Sequence, residues 1–226
     1  MSYLGSKGAS GAYQAIIANM PPHDTYIETH LGSGVVLRKK PAAARTIGID
    51  LDGNVLQNSL DLGVELYECD ACSFLEEFDF DSAGRTLIYS DPPYVHSSRT
   101  SGERYTHEYS EHDHIRLINT LNEVGSRGVA IMLSGYPSRL YEDIIPASWH
   151  SIQFQVMTRG GVRTEQLWMN FAPGTAAHWA AFAGRNYTDR QRIKRKAAGW
   201  AEKYRKLPMG ERMAIMAELL QIGAEE

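Results

Sequence analysis

The sequence predicts an α/β fold: a mostly parallel sheet with helices on both faces and one antiparallel strand, followed by a C-terminal helical hairpin. Three observations carry this. Short apolar runs of strand length alternate with helical patterns from residue 10 to about residue 172, as crossover connections of a parallel sheet require. The last two runs, WHSIQFQVM and EQLWMNF, are separated by TRGGVRT with no helix between them, so they read as a hairpin that places an antiparallel strand in the sheet. The marked polar signals fall at the C-terminal ends of strands, where open α/β sheets take their ligands.

The elements run in order as helix GAYQAIIANM, strand TYIET, a glycine loop, strand TIGID, helix NVLQNSL, strand VELYEC, helix ACSFLEEF and strand TLIYS. After a polar loop come helix DHIRLINTLNEV, strand GVAIML, helix SRLYEDII and the hairpin. Beyond about residue 184 the pattern changes. Ile193, Ala197, Trp200, Tyr204 and Leu207 step by four and three and share one helical stripe; LPMG turns the chain, and Met213, Met216 and Leu220 mark a second amphipathic helix. We expect a main domain over residues 1–184 and a basic helical hairpin over residues 185–226, whose apolar stripe docks on the body or pairs two copies as a homodimer.

At 226 residues, with 43% apolar residues, the chain can bury a full core. No apolar run approaches the length of a membrane span, and MSYLGSKGAS lacks the layout of a secretory signal, so the expected location is cytoplasmic with no membrane partner. The net charge of −4 hides an asymmetry: residues 185–206 hold nine Lys or Arg against two acids, a composition suited to a polyanionic partner. The two cysteines form CDAC at Cys69 and Cys72. A zinc site would want a second pair, which is absent, so no metal is expected; a redox dithiol is the weaker alternative. The string HEYSEHDH is not a zinc motif, because His107 and His112 are five apart and face different sides of a helix. Ser110 followed by Asp113 reads instead as a helix cap, with His112 and His114 as surface or capping residues.

Four sites on consecutive strands point to chemistry. TYIETHLGSG ends a strand in Glu28 and continues through Gly32 and Gly34, which lets backbone pass close under a nucleoside or phosphate. IGID ends in Asp50, placed to accept ribose hydroxyls, and YECD ends in Asp70, placed to accept from an exocyclic amine. No Lys-Ser/Thr follows the glycines and no third glycine completes a dinucleotide fingerprint, so the expected ligand is a nucleoside without a pyrophosphate, a description S-adenosylmethionine fits. The fourth site is YSDPPYV. Two prolines cannot continue a strand ladder, so Asp91, Pro92, Pro93 and Tyr94 form a stiff segment rich in acceptors, with a carboxylate on one side and a ring on the other.

With these residues in place, the chain resembles the Dam-like adenine-N6 DNA methyltransferases, in particular small phage and prophage members. The resemblance runs from Tyr3 to about Phe171, and RQRIKRK continues it into the tail. It implies a Rossmann-like, seven-stranded S-adenosylmethionine-dependent methyltransferase sheet, S-adenosylmethionine as cofactor, and double-stranded DNA as partner. YLGSKG resembles the family's N-terminal element and would put Tyr3 and Lys7 at the cofactor. ETHLGSG matches the first motif through Glu28, Gly32 and Gly34, Asp50 matches the ribose acid, and Asp70 the adenine contact. DPPY is the catalytic motif, complete at Asp91, Pro92, Pro93 and Tyr94. Members of such families often belong to restriction-modification systems.

The chain departs from the family in two places. Thr29-His30 stands where the family has Pro-Phe. Only about fifteen residues, Ser73 to Leu87, separate the third motif from DPPY, too few for a recognition domain. DNA contacts are therefore expected from the loop over residues 95–114, through Arg99, Arg104 and Tyr105, from Arg159 and Arg163 at the hairpin turn, and from Lys194, Arg195 and Lys196 on the tail, the last three gripping phosphates. A cytosine-N4 or RNA methyltransferase using the same pocket, or a DNA-binding protein with a degenerate cofactor site, are the alternatives.

Overall fold

The computed structural model describes residues 7–8, 11–94, 108–158, 161–172, 182–184 and 186–222. Two compact units divide the chain, Met1–Phe182 and Ala183–Glu226.

The first unit is built on seven strands: β1 (Thr25–Glu28), β2 (Arg45–Asp50), β3 (Glu65–Glu68), β4 (Thr86–Ser90), β5 (Ala130–Gly135), β6 (His150–Thr158) and β7 (Gly161–Met169). Their spatial order is β3-β2-β1-β4-β5-β7-β6. The pairs β1–β2, β1–β4, β2–β3 and β4–β5 are parallel, and β7 runs antiparallel to both β5 and β6. This is the expected sheet, with a single antiparallel strand, and the strand order reverses between the parallel neighbours β1 and β4, which opens a crevice at their carboxyl ends. The sheet order and direction are those of a Rossmann-like fold.

Alternation along the central strands explains why both faces are covered. Tyr26, Leu87, Tyr89 and Met132 point to one side, where they pack with Ile16, Ile17, Val36 and Leu56. These partners come from α1 (Ala12–Ala18), α2 (Val35–Lys39) and α3 (Gly53–Gln57). Ile27, Ile88, Ile131 and Leu133 point to the other, against Leu75, Leu117 and Leu121. These belong to α4 (Ala71–Glu77) and α5 (Glu111–Ser126), and α6 (Arg139–Ile144) adds Tyr141 to the same cluster. A strand buried on both faces has no polar register, which is why β1 and β4 read as continuous apolar runs.

Local chemistry sets the helix starts. Asp70 caps α4 by accepting from the Ser73 amide, and Ser110 and Asp113 form the reciprocal cap of α5, as the spacing predicted. His112 is exposed, but His114 is no surface residue: it is fully buried, with Nδ1 3.0 Å from the Tyr141 hydroxyl. Its place on the inward stripe of α5 beside Leu117, Ile118 and Leu121 overrides its polarity. The hairpin turn is also tighter than TRGGVRT suggested, because β6 extends to Thr158 and β7 begins at Gly161. Arg163 therefore stands on β7 opposite Val156, within the strand pair and not in the turn. No helix among the described residues is long and apolar enough to cross a membrane.

The second unit holds α7 (Tyr187–Arg205), capped by Asn186, and α8 (Met209–Ile222), tied by the Tyr204 hydroxyl donating to the Arg212 carbonyl at 2.7 Å. Trp200, Met209, Met213, Met216 and Leu219 are exposed.

Candidate active site

Strand β4 ends at Ser90, and Asp91–Tyr94 follow directly at the carboxyl edge of the sheet. Lys7 is buried here. Its ammonium donates to Asp91 Oδ1 at 2.7 Å and to the Tyr94 hydroxyl at 2.5 Å, and lies 3.3 Å from Glu165 Oε2. The Tyr94 hydroxyl donates in turn to Glu165 Oε1 at 3.0 Å. On its ring side Tyr94 meets Tyr136, just past β5, with centroids 4.3 Å apart. Burial pushes the Asp91 carboxyl up to about 6, with Lys7 opposing and Glu165 reinforcing the shift. Burial works against the Lys7 charge too, yet Asp91 and Glu165 overcome it and hold the lysine well above its ordinary range. The sequence motifs assigned Lys7 to the cofactor; among the described residues its hydrogen bonds and ion pairs are with Asp91, Tyr94 and Glu165.

The glycine loop after β1 is folded onto Asp50. Asp50 Oδ2 accepts from the Gly32 amide at 2.9 Å and Oδ1 from the Asp52 amide at 3.0 Å. Gly32 and Gly34 have φ of 48° and 60°, which side chains rarely adopt, and a Cβ on Gly34 would touch Leu31 and Ser59. Glu28 turns inward. Its carboxyl accepts from the Tyr26 hydroxyl at 2.8 Å and from the Leu37 amide, and burial pushes it up to about 8.

Asp70 faces a cleft of about 370 Å³ lined also by Leu51, Cys72, Tyr109 and Arg116. Burial raises the Asp70 carboxyl, but the Ser73 amide and hydroxyl and the Arg116 guanidinium outweigh it and hold the group below its usual range. The cleft thus sets a carboxylate acceptor beside the apolar Leu51 and Cys72. Of the residues assigned to the cofactor by motif, Asp70 lines this cleft. His30 sits between Thr29 Oγ1 at 2.9 Å and the Tyr109 hydroxyl at 2.8 Å, and burial pushes its imidazole down to about 3, so it is neutral. Burial also pushes both cysteine thiols up, away from the thiolate that redox chemistry needs.

Tyr3, Arg99, Arg104, Tyr105 and Arg159 lie outside the described residues. Lys194, Arg195 and Lys196 fall on α7 and are exposed. Sequence reasoning missed Glu165, Tyr136, Tyr109 and Arg116. A signal existed for Glu165: an acid in register with the apolar Leu167 and Met169 on one face of β7.

Residues 57–158 match the family model of D12 class N6 adenine-specific DNA methyltransferase. A type II methyltransferase, M1.LlaDCHI of Lactococcus lactis subsp. cremoris, is 42% identical over 60 residues, 26% of this chain and 21% of that protein. The match thus spans about a fifth of its relative. Among solved structures, TrmN from Thermus thermophilus aligns with a TM-score of 0.46 at 15% identity, over 69% of this chain and 46% of that one. The N-methyltransferase NodS from Bradyrhizobium japonicum WM9 aligns with a TM-score of 0.49 at 9% identity, over 70% of this chain and 93% of that one. At these scores the strand order, and not the superposition, carries the fold assignment. The stretch that is similar to the D12 class N6 adenine-specific DNA methyltransferases, residues 57–158, holds Asp70 and the whole of Asp91–Tyr94, the residues on which the Dam-like resemblance of the motifs also rests.

Proposed function

We propose that this protein methylates the N6 amine of adenine in double-stranded DNA, with S-adenosylmethionine as methyl donor, within a restriction-modification setting like that of its type II relative. The observation that carries the reading is the complete acceptor segment at the end of β4, inside the stretch that matches the adenine-N6 family. That family's description favours adenine over cytosine and DNA over RNA.

S-adenosylmethionine supplies an electrophilic methyl on a sulfonium; Asp70 and the glycine loop closed by Asp50 are the residues that would hold it, with Glu28 beneath. An adenine amine is a poor nucleophile because its lone pair is delocalised into the ring. Asp91 accepting one N–H and the Pro92 carbonyl the other would draw the nitrogen toward tetrahedral geometry and free the lone pair. Pro93 keeps those two acceptors at fixed spacing, and Tyr94, paired with Tyr136, offers the aromatic surface for a base taken out of the duplex. Residues 1–184 would form the catalytic domain, the 95–114 loop and the hairpin turn would approach the duplex, and the basic α7 would bind phosphates. The exposed apolar side chains of α7 and α8 suit pairing of two copies.

Nucleoside mass spectrometry on mixed-sequence duplex DNA and RNA, after incubation with S-adenosylmethionine, tests this. We expect N6-methyladenine in DNA and its loss, by at least a hundredfold on the order of a removed oxyanion-type contact, with Asp91→Ala. A mark on cytosine or in RNA would overturn the assignment.

A further inference from the structure

Positions 165, 167 and 169 of β7 share one face, and Leu167 and Met169 are fully buried there. Glu165 stands where that pattern asks for an apolar side chain and is itself buried. A carboxylate withdrawn from water is costly unless partners replace the solvent. Oε1 accepts from the Tyr94 hydroxyl at 3.0 Å; Oε2 has no hydrogen bond among the described residues and is compensated by charge alone, 3.3 Å from the Lys7 ammonium. Lys7 closes the ring through Asp91 and Tyr94. Two carboxylates therefore share a single buried cation.

We propose that Glu165 is a positioning residue for methyl transfer, which divides the Lys7 ammonium between two carboxylates and fixes the Tyr94 hydroxyl, so that the Asp91 cluster faces the target amine with net negative charge. The inference rests on the function proposed above. Lys7 beside Asp91 alone would make a neutral pair, a weaker acceptor for an amine. During transfer the amine lone pair forms the new N–C bond, the bonding pair of the broken S–C bond stays on sulfur, and the nitrogen is cationic until it loses a proton to solvent. A second carboxylate already fixed in the cluster favours that cation without reorganisation. Glu165 also acts on Asp91 by charge, raising its carboxyl in the same direction as burial and against Lys7. Among the described residues, the other ionisable groups that face Asp91 are Tyr94 and Tyr136, Tyr89 on β4, Tyr26 and Glu28 on β1, and Tyr141 on α6, and Arg163 on β7 acts on Tyr136 at the border of the cluster.

Glu165→Gln keeps the size and one acceptor and removes the charge. With S-adenosylmethionine and mixed-sequence duplex DNA, single-turnover transfer should slow roughly tenfold to a hundredfold while KM for S-adenosylmethionine is unchanged. Carbon-13 NMR titration of the aspartate carboxyls, assigned with Asp91→Asn, should place Asp91 near 6 in the wild type and lower in Glu165→Gln. Glu165→Asp, which keeps the charge, should retain more of the rate and a higher Asp91 midpoint, and it stands in if thermal unfolding shows that the Gln variant does not fold. An unmoved Asp91 midpoint in the charge-removed variant, or a wild-type rate, would overturn the inference. Absence of transfer by the wild type would count against the proposed function instead, and the titration would still decide whether Glu165 acts on Asp91.

Discussion

Lys7 and Glu165 act on Asp91 with opposite signs, and this gives the acceptor a diagnostic response to pH. Lys7 favours the ionised carboxylate, so Lys7→Met should push Asp91 above its value of about 6 and move the acid limb of the transfer rate to higher pH. Glu165→Gln should move the same limb down. A single rate-limiting conformational step unconnected to Asp91 would shift neither, so paired pH–rate profiles of the two variants separate the possibilities. The candidate catalytic residues were legible as a motif because Asp91–Tyr94 stand in consecutive positions. Lys7 was legible as a residue but not in its role, since only the folded chain brings its ammonium to Asp91, 84 positions away. Glu165 and Tyr136 were not legible as candidate site residues, because only the strand order β4-β5-β7 brings β7 and the end of β5 to the edge where Asp91 stands.

Glu28 shows how one carboxyl joins elements. It stands at the end of β1, takes the Leu37 amide of α2, and takes the Tyr26 hydroxyl from its own strand. Its carboxyl is pushed up to about 8 by burial, from an ordinary value near 4.5. The folded protein therefore keeps a proton that the unfolded chain releases, and stability falls as pH rises through the window between those values. Glu28→Gln removes the titration and keeps an acceptor. Its stability relative to wild type should rise between pH 5 and pH 9, by up to about 4 kcal/mol, measured by urea unfolding at the two pH values. A constant difference across that range would mean that Glu28 is already ionised at pH 5. The elements were legible wherever periodicity was unbroken, as in β1, β4 and α5. The hairpin turn was misread because strand pairing continues through residues whose Gly and Arg content reads as loop.

At the scale of the whole molecule, charge is divided along the chain. Nine Lys or Arg against two acids lie in residues 185–206, while the net charge is −4, so the first unit is strongly acidic by itself. An acidic unit repels a polyanion at long range, and its encounter with DNA would be weak without a separate source of positive charge. The exposed basic side chains of α7, among them Lys194, Arg195 and Lys196, are suited to that task, because phosphate contacts supply affinity without reading sequence. Each phosphate neutralised contributes a slope of about −0.9 to the dependence of log affinity on log salt. Deleting residues 185–226 should therefore weaken DNA binding at low salt, flatten its salt dependence by several such contacts, and leave the calorimetric affinity for S-adenosylmethionine unchanged, since Asp50, Asp70 and the glycine loop all lie in the first unit. An unchanged salt slope would mean that the first unit makes the phosphate contacts through its own loops, and the hairpin's apolar side chains would then be left with self-association as the role to test.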